Sequence, residues 1–160
     1  MLQPAPVQST YNRYQPVGQN GDLASEINFS ADTRTVETAG GIGFGLAVSQ
    51  GTLSDAGCIV GGTAFVGVTR ADKTLARVEG LPVDVYPQYD NAGVLCTGDL
   101  WVNCYGSVAV GAAVTYDTTT GKLGAAGTTI EDARWQTTAA GSANAPVLAV
   151  VRIGNIAGNR

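Results

Sequence analysis

A chain of 160 residues with no histidine and a formal net charge of −4 lacks both the usual general base of enzymes and the clustered Lys and Arg that hold phosphates. Its nine basic residues are scattered among thirteen acidic ones, which argues against nucleic-acid binding, and Ser-His-Asp and Cys-His arrangements are ruled out at once. With 22 glycines against three Phe, two Trp and one Met, the apolar supply suits one thin, sheet-built core better than a thick helical one or two separate cores.

Residues 1–40 read as an extended N-terminal arm. They carry three of the six prolines and many Gln, Asn, Ser and Thr, with no sustained period of 2 or 3.6. The start, Met1-Leu2-Gln3-Pro4-Ala5-Pro6, has neither the basic residues nor the apolar stretch of an export signal, so the product is expected to stay where it is made. Tyr11, Tyr14 and Phe29 stand in this polar segment as candidate anchors on a partner surface.

Residues 41–160 read as one β domain. Ile42, Phe44, Leu46 and Val48 point to one side of a first core strand, and the glycines at 41, 43 and 45 leave the other side open to close approach. Further strands are predicted over 63–69, 81–86, 99–105, 111–116 and 146–153 from their alternation. Turn signals separate them at 61–62, 90–93, 97–99 and 117–121. Residues 71–77 offer one or two helical turns at most. Short strands with turns about 8–12 residues apart predict an all-β sandwich, jelly roll or small barrel. No apolar run approaches the roughly 18 residues of a membrane helix, so no membrane partner is expected.

In the strand over 99–105, Leu100, Val102 and Cys104 share one face while Trp101 and Tyr105 occupy the other. Trp101 and Tyr105 are therefore candidate interface residues. Trp135 is a third, either filling the core or standing on a surface.

Motifs that would bring chemistry fail on inspection. Gly40–Gly45 leads into a strand and has Leu46 where a dinucleotide loop needs glycine; Lys122 is followed by Leu123 where a phosphate loop needs Ser or Thr. Glu131 and Asp132 are adjacent and fit solvated surface charge better than a glycosidase pair. Asp90-Asn91 and Asp117-Thr118 offer too few oxygens for calcium. Cys58, Cys96 and Cys104 are odd in number and lack zinc spacing, and read as small hydrophobes in a reducing compartment. No catalytic, cofactor-binding or metal-binding residue is predicted.

The order of several weak motifs carries more. Tyr14-Gln15-Pro16 and Gly21-Asp22-Leu23-Ala24-Ser25 are followed by Gly43-Phe44-Gly45-Leu46-Ala47-Val48 and Phe65-Val66-Gly67-Val68-Thr69. Then come Tyr89, Gly98-Asp99-Leu100-Trp101-Val102, the run from Gly111 to Asp117 with its turn at Thr120-Gly121, and Leu148–Ile153. In this order the chain resembles the head cement, or capsid decoration, proteins of tailed bacteriophages. It departs from them at Gly111-Ala112-Ala113, where an acidic residue often follows the glycine. The resemblance implies a jelly-roll-like β-sandwich and no catalytic residues. It implies a small homo-oligomer, a trimer in preference to a dimer, bound to the major capsid protein on the capsid exterior of the virion and made in the host cytoplasm. A phage tail or baseplate module, or a carbohydrate-binding module stacking Trp101, Trp135 and its tyrosines on sugar rings, is the competing expectation.

Overall fold

The computed structural model describes residues 18–75, 80 and 82–154, and among these there is no helix. The strands in chain order are β1 (Ser30–Val36), β2 (Ile42–Gly43), β3 (Ala47–Gln50), β4 (Gly57–Val60), β5 (Phe65–Thr69) and β6 (Val85–Tyr86). The chain continues through β7 (Asn91–Cys104), β8 (Ser107–Val108), β9 (Ala113–Tyr116), β10 (Thr128–Trp135), β11 (Ala139–Ala140) and β12 (Val147–Ile153).

Five strands close into a small barrel. They pair in the order β1-β4-β3-β5-β7, and β7 returns to β1, so the ring has no free edge. The β1–β4 pair is parallel and the other four are antiparallel. Val36, Val48, Cys58, Ala92 and Val94 form one buried cluster with Ile42, Phe44 and Tyr86, which the short β2–β6 ribbon contributes. Phe44 meets Tyr86 edge to face at 5.2 Å, and the Tyr86 hydroxyl donates to Arg70 O at 2.7 Å, so the buried phenol is satisfied.

β7 is the spine of the molecule. Its first half pairs with β1 and β5; its second half pairs with β12 over Gly98–Cys104. The change of partner falls at Gly98, whose φ of 135° favours glycine, beside a register shift opposite Ser30 and Ala31. From β12 the sheet runs on to β10 and β9, and Leu123 bridges β9 at Tyr116 and β7 at Cys104. Leu100, Val102, Cys104, Val114, Tyr116, Leu123, Trp135 and Val151 fill the second cluster. Rings such as Trp135 and Tyr116 remove about 150–250 Å² each from water, roughly 4–6 kcal/mol apiece before entropy is counted.

The stretch assigned to the arm contributes to the folded domain from Gly18 onward. Leu23 bridges Leu100, Trp101 N donates to Asp22 O at 2.8 Å, and Ala24 N donates to Asp99 O at 2.9 Å, so residues 22–24 lie as a short strand beside β7. Asn20 fastens its base: Nδ2 donates to Phe44 O at 2.7 Å, and Oδ1 accepts from Asn103 N at 2.9 Å. The first strand, β1, lies within the stretch read as the arm. Its Asp32, Thr33, Arg34 and Thr35 are too polar to announce a strand, yet its backbone is paired on both sides.

Other predictions are met or moved. The alternation over 63–69, 99–105, 111–116 and 146–153 corresponds to β5, the end of β7, β9 and β12. The strand expected from Ile42 to Val48 is split by a turn at Gly45, where φ is 68°. Of the strand expected over 81–86 only Val85 and Tyr86 are extended among the described residues. The turns predicted at 90–93 and 97–99 are largely absorbed into β7. Gly93 lies within β7 as an ordinary extended residue, with the Tyr86 hydroxyl 3.7 Å from where its Cβ would be. Of the one or two helical turns expected over 71–77, residues 72–75 form a turn in which Leu75 N donates to Asp72 O at 3.4 Å and the Asp72 carboxylate accepts from Thr74 N and Oγ1; the rest lies outside the described residues.

Candidate interface surfaces

Of the six residues singled out from the sequence, Tyr11 and Tyr14 lie outside the described residues. Trp135 is fully buried in the second cluster and offers nothing to a partner. Its place follows from a bulge in β10 at Asp132 (φ 55°), which turns both Glu131 and Asp132 to solvent and puts Ile130, Ala133 and Trp135 inside. Trp101 is half-buried, with the backbone of Gly18 packed against its indole. Phe29 lies under the Arg70 guanidinium at 5.3 Å and beside Gly98; Tyr105 lies under the Lys122 ammonium at 4.8 Å. The partly exposed three are thus engaged within the chain, each by a different neighbour, and do not form one cluster.

Behind Trp101, Asp99 and Arg152 face each other across β7 and β12 in a two-pronged ion pair, both contacts 2.7 Å. The hydrogen bonds that Arg152 donates to Asp99 raise the pKa of the guanidinium above its ordinary value. The pair fixes the register of the two strands at the point where the barrel gives way to the second sheet.

Two surfaces at opposite ends of β7 stand out. The first follows its C-terminal end. Residues 100–116 and 135–151 contain no Asp, Glu, Lys or Arg, and the fold brings these stretches together. β8 pairs with β11, Gly111 N donates to Trp135 O at 2.7 Å, and Gly141 N donates to Gly106 O at 3.0 Å. Val110 (64% exposed) and Val147 (41% exposed) project from a ground of exposed Ala, Ser, Thr and Gly. Depletion of charge is the compositional mark of an interface core. Two charge-free runs in the C-terminal half of the chain were the signal available in the sequence.

The second surface lies at the N-terminal end of β7, where the β3–β4 and β6–β7 loops close one mouth of the barrel. Leu53 is 71% and Tyr89 69% exposed. Both loops are held from the end of β1. The Glu37 carboxylate accepts Thr52 N at 2.8 Å, Leu53 N at 3.1 Å and Ser54 N at 3.2 Å. Tyr89 N donates to Val36 O at 2.7 Å, and Gln88 Nε2 to Glu37 O at 3.1 Å. Partial desolvation pushes the Glu37 pKa up, but the three backbone N–H groups together outweigh it and hold the carboxyl below its ordinary value. Tyr89 adopts φ 67°, a conformation that costs a residue with a Cβ of order 1–3 kcal/mol and that persists where surroundings enforce it.

No catalytic constellation accompanies these surfaces. An open cleft of about 520 Å³ beside Asn20 and Phe44 holds one carboxylate, Asp84, opposite Lys73 and Lys122, which is not the paired-carboxylate geometry of glycoside hydrolysis. Among the described residues no three His, Cys, Asp or Glu are grouped to hold a metal, and no helix is long and apolar enough to cross a membrane. The three cysteines are free; burial raises each thiol's pKa, that of Cys58 to about 11.

The described residues form an all-β fold built on a small closed five-stranded barrel. The comparisons make this specific. The family model described as structural cement protein (E217 gp24/Pam3 gp6) matches residues 7–154, and the chain belongs to that family of phage structural proteins. A chain from the solved structure "The capsid of Myoviridae Phage XM1" shares the fold with a TM-score of 0.61 at 12% identity, covering 93% of this chain and 98% of the other. No curated protein matches.

Proposed function

We propose that this chain is a capsid cement protein that binds the exterior of a tailed-phage shell and resists its rupture by bridging major capsid protein subunits. Family membership over residues 7–154 carries the reading, because the match runs from the N-terminal segment through both lobes. Packaged DNA strains a shell from within, and a subunit touching two coat subunits adds contact area across their seam. The protein acts as a homo-oligomer, a trimer in preference to a dimer. Once one protomer is bound, its sisters face their sites at high effective concentration. The jelly-roll-like body is a rigid wedge, and Tyr11 and Tyr14 anchor the N-terminal segment on a neighbour.

Self-contact is assigned to the charge-free end. Identical copies with a net charge of −4 repel wherever like charges meet, and residues 100–116 and 135–151 are where they do not. The two tryptophans do not form a stacking platform for a sugar: Trp135 is buried and Trp101 is half-covered by Gly18.

The test is sedimentation of the full chain with empty shells stripped of accessory proteins. Saturable, stoichiometric binding that raises the temperature at which shells rupture is expected. A chain that stays in the supernatant, or binds without protecting the shells, contradicts the proposal.

A further inference from the structure

Large apolar side chains on loop tips are usually incidental, and single ones call for no explanation. Leu53 and Tyr89 differ in being built into place. The β3–β4 loop is organised from below by the Glu37 carboxylate and from within by Gln50, whose Nε2 donates to Ser54 O at 3.2 Å and to Asp55 O at 3.0 Å. Tyr89 is held in a backbone conformation disfavoured for tyrosine by its bond to Val36 O. Both loops therefore hang on consecutive residues, Val36 and Glu37. Rigid apolar tips lose little freedom on docking, which is what an interface anchor requires.

The charge around the tips indicates the occupant. Asp55 and Asp90 are exposed beside Leu53 and Tyr89, and Glu37 lies between the loops. The guanidinium at this mouth, Arg34, is mostly covered and already bonded to Gln50 Oε1 at 2.7 Å and Asp55 O at 3.2 Å. The tips thus stand in an acidic field that opposes a second copy of this acidic chain and attracts a basic surface.

We propose that the Leu53/Tyr89 mouth of the barrel is the face that seats on the shell, its two tips entering an apolar recess rimmed by Lys or Arg on the coat protein. The inference rests on the cement reading above and adds to it which end meets the coat and by what chemistry. Glu37 acts as a positioning residue: it touches no partner and sets the tip of the β3–β4 loop.

The experiment compares the full chain with Leu53→Ser/Tyr89→Ser, Tyr89→Phe, Glu37→Gln and Asp55→Asn/Asp90→Asn. Shell binding is read by sedimentation with stripped empty shells at low and high salt, and oligomer mass and thermal unfolding are measured on the same samples. The double Ser variant is expected to fold, keep its mass and bind at least tenfold more weakly. Tyr89→Phe retains binding, Glu37→Gln weakens it several-fold, and Asp55→Asn/Asp90→Asn flattens the salt dependence. If the parent binds shells and the double Ser variant binds equally well, the proposal is overturned while the cement reading stands. Loss of oligomer mass in the double Ser variant overturns it by showing that this mouth joins copies. If the parent itself ignores shells, the cement reading fails and the proposal with it.

Discussion

The two ends of β7 are made from different materials. Beyond Cys104 the chain itself carries no charge as far as Tyr116, and Val110 and Val147 are set among Ala, Ser, Thr and Gly, the nearest charges being Lys122 over Tyr105 and Arg134 beside Ala113; before Asn91 the surface is shaped by hydrogen bonds into two tips flanked by Asp55 and Asp90. The difference also runs inward, because the first end rests on the cluster around Trp135 and Leu100 and the second on the cluster around Val94 and Tyr86. Charge-free surface suits contact with an identical molecule, whose charges are necessarily the same. Acid-flanked surface suits contact with something basic. One strand thus separates, on the proposed reading, the face for sister copies from the face for the shell.

The strongest way to break the comparison is to unbalance its two cores. Trp135→Ala empties the larger ring from the second cluster and is expected to cost about 3–5 kcal/mol. Because β7 threads both clusters, chemical denaturation followed by fluorescence and by circular dichroism should still give one coincident transition. Two separated transitions would show that the ends are independent.

Smaller but more pointed is a charge placed in the neutral end. Val147→Asp should weaken self-association at least tenfold, about 1.4 kcal/mol, as read by sedimentation velocity. Its melting temperature, compared at a dilution where the parent is dissociated too, should move little, since Val147 is 41% exposed at the start of β12.

At the acidic end Tyr89→Gly should do the opposite. Relief of the positive φ is expected to stabilise the fold by about 1 kcal/mol while shell binding falls, a combination that a merely structural Tyr89 would not give.

The gentlest probe is pH. The Glu37 pKa is lowered from an ordinary 4.5, so its hold on the β3–β4 loop is complete above that value and is lost as pH falls through the depressed folded pKa. Amide exchange at Leu53 and Ser54 should therefore stay slow as pH falls through the ordinary 4.5 and quicken only on further acidification in the parent, and be pH-independent in Glu37→Gln, after correction for intrinsic rates.

Much of the second lobe was legible from alternation alone. Leu100, Val102 and Cys104 are buried together, as their spacing predicts, and β12 pairs along their strand. The barrel was less legible for two physical reasons. Its β1 is stabilised by backbone pairing while Asp32, Thr33, Arg34 and Thr35 stay polar, so no apolar rhythm marks it. Glycines that look like turns, Gly93 and Gly98, instead lie within one long strand, Gly98 with φ 135° beside its bulge. The interface candidates suffered from the same locality. Burial of Trp135 depends on a bulge at Asp132, and exposure of Leu53 depends on Glu37, sixteen positions earlier.

The account's central claim is that opposite ends of β7 meet different partners, and hydroxyl-radical footprinting with mass spectrometry tests it most directly. It would be read on the free protein and on shells saturated with it. The account predicts that Val110 and Val147 are protected in the free oligomer, and that Leu53 and Tyr89 are open there and become protected only on shells. Protection of Leu53 and Tyr89 in the free protein, or their continued oxidation on saturated shells, would contradict it.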